Sequence, residues 1–464
     1  MVRVIISNKI YGSHKGRLKM IVVDLFSGAG GLSEGFHKHD FKIAAHVEKE
    51  YWACETIKTR LFYHFLKAKN DLELYYEFLR VSDNYRNIEQ TRALVFERYP
   101  ELREKLEKEV LNRKFGNPHN DPTATSSTQM IQLIQNSLQY SRATSVDLII
   151  GGPPCQAYSL VGRSRMKESV DKDSRNYLFQ YYKRIVDEFK PKAFVFENVP
   201  GLLTAKKGKV YQEIKESFDQ IGYTVLSGTS EEEKSNIIDF ADFGVPQRRK
   251  RVILFGFQKN LNYEYPNFDR HKLSWDIPLT TRDVISDLPV VKPKQGHDLR
   301  LFEYDMSQGV DYLSPYELMM REDSIGFTNH FARPLKDRDA EIYQIAIKYA
   351  TQGKQIKYNE LPDRLKTHKN DKVFLDRFKV HRWDSIPHTV VAHISKDGHY
   401  NIHPDIDQCR SLTVREAARI QGFPDNYKFE GPRTAQFTQV GNAVPPVMSG
   451  VIARAVKEVI CDQL

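Results

Sequence analysis

The chain is poor in cysteine: 464 residues contain four, Cys54, Cys155, Cys409 and Cys461, and no two form a CxxC pair. That spacing excludes an obvious zinc site. So few thiols also argue against a disulfide-built secreted domain and for a reducing cytoplasm. Long apolar runs are missing too. None approaches the ~20 residues needed to cross a bilayer, so no membrane association is expected. The first twenty residues lack the continuous apolar stretch and small-residue cleavage site of a signal peptide. No repeat period is visible, which removes solenoids and propellers. Acidic excess is absent as well. The formal net charge is +9, a balance that suits a polyanionic partner but is common on proteins that bind no nucleic acid. The 40% hydrophobic content supports a sizeable core, and the length is comfortable for two domains.

What is present is an alternation. Residues 20–25 (MIVVDL) form an apolar strand that breaks into Phe26-Ser27-Gly28-Ala29-Gly30-Gly31 and resumes with helical spacing. Further strands are predicted at 41–47, 146–150, 193–196, 223–226 and 252–257, with helices at 176–189 and 210–221 between them. Strands alternating with helices indicate an α/β architecture with a parallel sheet of Rossmann type. Residues 56–140 interrupt the rhythm and read as a helical insertion, a solvated elaboration without assigned function. From 259 to about 409 the alternation disappears into mixed aromatic, proline and basic residues, as expected of a separate, irregular domain.

The most informative stretch is Gly151-Gly152-Pro153-Pro154-Cys155-Gln156-Ala157-Tyr158-Ser159. Glycines and prolines stop a strand abruptly and hold one cysteine at its carboxyl end, where ligands bind in open α/β sheets. A thiolate there is a competent nucleophile. The Phe26–Gly31 turn opens a helix straight after the first strand. Glu48 follows at the end of the second strand, at the spacing of a carboxylate that binds ribose hydroxyls. The turn matches neither GxGxxG nor GxxxxGK[ST], so a ligand with ribose and adenine but no phosphate fits better, as S-adenosylmethionine does. Glu197, in Glu197-Asn198-Val199-Pro200-Gly201, ends another strand and should face the same crevice as Cys155. In an enclosed apolar pocket its pKa would rise enough to donate a proton. In Gln247-Arg248-Arg249-Lys250-Arg251, strand alternation would point Gln247, Arg249 and Arg251 the same way, toward a base oxygen and a phosphate.

These blocks, with Leu412 to Pro424 (LTVREAARIQGFP) and Gln439 to Pro446 (QVGNAVPP), occur in the order found in the DNA cytosine-5 methyltransferases, which the chain resembles from Asp24 to Pro446. The resemblance, closest to the bacterial restriction-modification type, implies a Rossmann-like S-adenosylmethionine-dependent methyltransferase fold with a smaller irregular target-recognition domain. The catalytic domain would span 1–258, the recognition domain 259–438, and residues 439–464 would return to the first. It implies Cys155 as nucleophile, Glu197 as the acid at cytosine N3, and Arg249 and Arg251 at the flipped base or its flanking phosphates. Phe26, Gly28, Ala29, Gly30, Gly31, Glu48, Pro154, Asn442 and Val444 would hold S-adenosyl-L-methionine and its product S-adenosyl-L-homocysteine. Gln156, Ser159, Arg163, Arg165, Gln247 and Thr389 would contact double-stranded DNA.

No metal is implied. A cytoplasmic bacterial monomer is expected, with any cognate restriction endonuclease acting separately. The family's aspartate that contacts adenine is obscured by the insertion, with Asp121 as the candidate, and Tyr158 stands where phenylalanine is common. The TC dipeptide of RNA enzymes, the CFT tripeptide of tRNA-directed relatives and the DPPY-like loop of amino-group methyltransferases are all absent. A non-catalytic DNA-binding module would have no need of Cys155, Glu197 and the arginine pair together.

Overall fold

The computed structural model describes residues 19–154, 178–228, 236–305, 307, 309–367 and 375–461. Ten strands of its first half are β1 (Ile21–Leu25), β2 (Lys42–Glu48), β3 (Val110–Asn112), β4 (Lys114–Phe115), β5 (Ala124–Thr125), β6 (Leu148–Gly151), β7 (Ala193–Asn198), β8 (Tyr223–Leu226), β9 (Ile238–Asp239) and β10 (Lys250–Gln258). The main sheet runs β3-β2-β1-β6-β7-β10-β8, with β9 paired to β10. Strands β3 to β7 along this path are parallel, but β10 runs antiparallel to both β7 and β8. The expectation of a parallel sheet is therefore corrected at one strand. Between β8 and β10 the described chain carries only β9 and the short 3-10 turn Phe240–Phe243. No crossover helix stands among those residues, and a parallel return needs one.

Neighbouring residues on a strand face opposite sides, and the two sides pack different partners. Val23, Leu25, Ile149 and Phe194 join one buried cluster, whereas Val22, Ile150, Val195 and Ile253 join another with Met448, Val451 and Ile452 of the helix Pro446–Cys461. That helix lies against α1 (Gly31–Lys38), where Ser449 Oγ accepts from Gly35 N at 3.2 Å. The C-terminal return to the first layer is thus part of its core.

The insertion at 56–140 needs redrawing. It includes β3, a strand of the main sheet, and the helix Ser127–Tyr140, whose Met130, Ile131 and Ile134 pack into the sheet's own core. Outside the alternation lie α2 (Tyr51–Ala68), α3 (Leu72–Val81), α4 (Ile88–Arg98) and α5 (Glu101–Glu109), with a core of their own around Phe62, Tyr75, Phe78 and Val95. Leu301 of the second half enters that core, so these helices bridge the two halves rather than standing in solvent.

Residues 259–438 are irregular as expected, with short two-residue pairings and one longer helix, Asp337–Thr351. The Leu412–Pro424 block explains itself here. Thr413 caps the helix Val414–Ile420 in a capping box with Glu416, and Glu416 also receives both terminal nitrogens of Arg410 at 2.7 and 2.6 Å. Arg419 is shared between Asp287 and Asp425. Arg410, Glu416, Arg419 and Asp425 are wholly or almost wholly buried, and the Asp287 side chain is 1% exposed. Pairs of this kind fix which elements meet more than they add stability.

Candidate active site

The strand order reverses between β1 and β6, since β1 continues to β2 on one side and β6 to β7 on the other. Ligands bind outside the carboxyl ends of strands at such a point. Four predicted segments converge there: the turn after β1, Glu48 at the end of β2, Pro153-Pro154 after β6, and Glu197 near the end of β7.

The turn after β1 holds Phe26, Gly28 and Gly30 at φ of 58°, 55° and 82°, the left-handed region. Among the described residues nothing lies within 4 Å of where a Cβ on Gly28 would stand, which leaves that side of the turn open. Gly31 is a glycine for another reason. A Cβ there would meet the carbonyl of Val444 at 2.3 Å, so the C-terminal segment seals directly against the turn. Ala29 is fully buried, and Val444 is 9% exposed. Asn442 ends the helix Arg433–Asn442 as an exposed residue. Phe26 lies beside Phe115 of β4, ring centroids 5.1 Å apart.

Glu48 accepts three main-chain N–H groups: Gly28 on Oε2 at 2.9 Å, and Lys49 and Glu50 on Oε1, both at 2.8 Å. Burial pushes its pKa up, against the pull of those donors. A carboxylate offers about four acceptor positions, so among the described residues Oε2 keeps one position open for a further donor. Beside it opens a groove of about 790 Å³ lined by Lys49, Asn112, Arg113, Lys114 and Thr125 among others. Asn112 stands at the end of β3 and donates to the carbonyls of Glu48 and Lys49 at 3.1 and 3.0 Å. The candidate Asp121 is instead committed to Lys114 and to Thr123 of its own turn. Asn112 lines the groove from β3, a sheet strand inside the stretch expected to be an insertion.

Glu197 and Arg251 meet. Register pairs Ile253 with Glu197, which makes Arg251 a diagonal neighbour on the same face, and Arg251 Nε lies 2.7 Å from Glu197 Oε1. The other carboxyl oxygen backs onto Gly152, where a Cβ would sit 3.1 Å away. Glu197 is thus held between the Arg251 guanidinium and the main chain at Gly152. Asn198, unremarked beside it in the sequence, donates to the carbonyl of Pro153 at 3.1 Å and accepts from Val199 N at 2.9 Å. It ties the Pro-Pro turn to the strand carrying Glu197. Cys155, Gln156, Ser159, Arg163 and Arg165 lie outside the described residues, directly beyond Pro154.

Two predicted contacts are overturned. Arg249 is 1% exposed and donates to the carbonyls of Val390 (3.0 Å), Gly441 (3.3 Å) and Ala443 (3.0 Å). Gln247 is fully buried, donating to Ile420 O at 2.9 Å and accepting from Val390 N at 3.1 Å. Both side chains are buried and committed to main-chain partners inside the protein. The assumption of strand alternation failed because β10 begins only at Lys250. Arg248 and Lys250 are the exposed members of the run, the Arg248 side chain 57% exposed. Thr389 donates its hydroxyl to the carbonyl of Arg248, which laces the recognition region to the start of β10 beside Arg251 and Glu197.

The C-5 cytosine-specific DNA methylase family profile matches residues 20–77 and 105–458. The chain belongs to this family. It is a DNA (cytosine-5) methyltransferase, and the unmatched stretch 78–104 falls within the bridging helices α3 to α5. The chain is 91% identical over 441 residues to Type II methyltransferase M.Bpa9945I of Bacillus paralicheniformis, covering 95% of this chain and 99% of that one. It is 29% identical to Type II methyltransferase M.AgeI of Thalassovita gelatinovora, over 95% and 100%. A solved structure assigned as a DNA modification methyltransferase encoded within a prophage (E. coli) shares the fold, with a TM-score of 0.58, 20% identity, and 95% and 99% coverage. The methyltransferase contains no helix among the described residues that is long and apolar enough to cross a membrane.

Proposed function

We propose that this methyltransferase is the modification enzyme of a restriction-modification system, and that it methylates C5 of a cytosine flipped out of a specific duplex sequence with Cys155 as nucleophile. The observation that supports the reading is the Asn198–Pro153 tether, which holds the Pro153-Pro154 turn against the strand that carries Glu197 and its partner Arg251. The name of the 91% identical relative supports the restriction-modification role. The target carbon lies inside the base stack, so the base must leave the duplex first. The Cys155 thiolate adds to C6, and the ring's electrons become available at C5. Glu197, held by Arg251, faces the ring nitrogen whose charge grows in that step. After transfer, loss of the C5 proton and expulsion of the thiolate restore the aromatic ring.

The chain's residues fit S-adenosyl-L-methionine: the open face of Gly28, the free acceptor position of buried Glu48 and the adjoining groove suit a phosphate-free nucleoside. When bound, the sulfonium supplies the methyl group. Glu48 would hold the ribose, and Asn112 would stand at the adenine edge. This reading has the enzyme act as a cytoplasmic monomer on double-stranded DNA, with any cognate endonuclease a separate protein. Duplexes carrying 5-fluorocytosine at the target should trap the wild type covalently, because fluorine blocks the final elimination. Cys155→Ser should neither be trapped nor transfer methyl groups. Trapping by the serine variant, or near wild-type methylation by it, would remove Cys155 from the chemistry.

A further inference from the structure

Beside the turn after β1 sits a buried polar bracket that methyl transfer itself does not use. Tyr427, wholly buried, donates its hydroxyl to the carbonyl of Ala29. The same oxygen lies 3.1 Å from where a Cβ on Gly30 would stand. The tyrosine ring packs against Phe423 and Phe429, with centroids 4.8 and 5.4 Å away, and carries the guanidinium of Arg60 at 4.7 Å. Arg60 comes from α2 and is 5% exposed. It donates to both carboxyl oxygens of Glu34 on α1, at 2.9 and 2.6 Å, and to Asn426 Oδ1 at 2.8 Å. His64 completes the set at 2.9 Å from Glu34 Oε2. The turn is therefore held at both ends: at the Ala29 carbonyl by Tyr427, and at the helix that follows by Arg60.

We propose that Tyr427, oriented by Arg60, is a positioning residue for cofactor binding, and that α2 with the segment after the Leu412–Pro424 block sets the shape of the cofactor turn. The inference rests on the turn after β1 being the cofactor site. Three left-handed residues in five make that turn unlike the conformation the chain would otherwise favour. If the turn is not held, the binding-competent shape is only partly populated, and the apparent dissociation constant rises by the inverse of that fraction. Burial keeps the Tyr427 phenol protonated, well above its ordinary range, so it remains a donor.

Tyr427→Phe keeps the ring contacts and deletes one hydroxyl. On the full-length protein, titration calorimetry with S-adenosyl-L-homocysteine should show a three- to tenfold weaker dissociation constant. Turnover at saturating S-adenosyl-L-methionine should stay within twofold, with KM for DNA unchanged. Arg60→Lys, which keeps a charge opposite Glu34 but loses the planar fork, should weaken the ligand in the same direction, and it serves if the tyrosine variant does not fold. Glu48→Ala, measured alongside, separates the two readings. Weak binding in Glu48→Ala with unchanged binding in Tyr427→Phe or Arg60→Lys overturns the positioning role alone. Unchanged binding in all of them overturns the cofactor site and this inference with it. A lower melting temperature at unchanged dissociation constant makes the bracket merely structural and also overturns it.

Discussion

Arg249→Met removes a guanidinium that donates to three main-chain carbonyls, those of Val390, Gly441 and Ala443. These belong to the end of the recognition region and to the C-terminal segment that seals the cofactor turn, so one side chain ties three parts of the chain together. Bonds from a charged donor are worth about 1.5–3 kcal/mol each, and a buried carbonyl left without a donor costs about 1–3 kcal/mol. The sum is reduced because methionine refills most of the volume and the burial cost of the cation disappears. A net loss of about 3–5 kcal/mol is expected. With an unfolding entropy near ~2.1 cal/mol/K per residue, a chain of this length loses about 1 °C per kcal/mol, so the melting temperature should fall by about 3–5 °C. The companion Arg251→Met removes the partner of Glu197 and should leave the melting temperature nearly unchanged while turnover drops ~100-fold or more. Differential scanning fluorimetry and methyl-transfer rates on both variants decide the matter. If Arg249→Met melted like the wild type yet lost methylation, Arg249 would face the substrate and the buried placement would be wrong.

Glu48→Ala should raise the cofactor dissociation constant by about 1.5–3 kcal/mol, or roughly 10- to 150-fold, with a smaller effect on saturated turnover; calorimetry showing no change would remove Glu48 from the pocket. Because burial raises the Glu48 pKa above its ordinary 4.5, the native state holds the extra proton between the two values, and ionising Glu48 there lowers stability as pH rises. Cofactor affinity should move the opposite way through the same window, since the carboxylate is the better acceptor, and Glu48→Gln should flatten that pH profile. Asn198→Ala should cut turnover about tenfold by freeing the Pro153 carbonyl, at a stability cost near 1 kcal/mol; unchanged turnover would show that the turn holds itself. Exchanging residues 259–409 for those of an enzyme of different specificity should move methylation to the donor's word, read by bisulfite sequencing. An active chimera that kept the original word would place recognition elsewhere.

Local residues by themselves determined six strands of the main sheet (β1, β2, β6, β7, β8 and β10) and their order of appearance. Apolar runs broken by glycine and proline mark β1 and β6 without help from any distant contact, and a carboxylate at the end of β2 was legible as a candidate ligand because spacing along one strand and turn is a short-range property. Tertiary structure alone decided which way the arginines face. Arg249 and Arg251 are two residues apart and chemically identical, yet one is spent on carbonyls 141 to 194 residues away and the other meets Glu197 across a strand pair. The same holds for Gly31, a glycine because Val444 comes back to touch it, for Asn112, on a sheet strand hidden among helices, and for Arg60, which joins α1 to a segment 366 residues distant. Backbone propensity and spacing act within a few residues. The partner of a buried polar group is set by whichever segment the packed core brings against it, and no local pattern encodes that meeting.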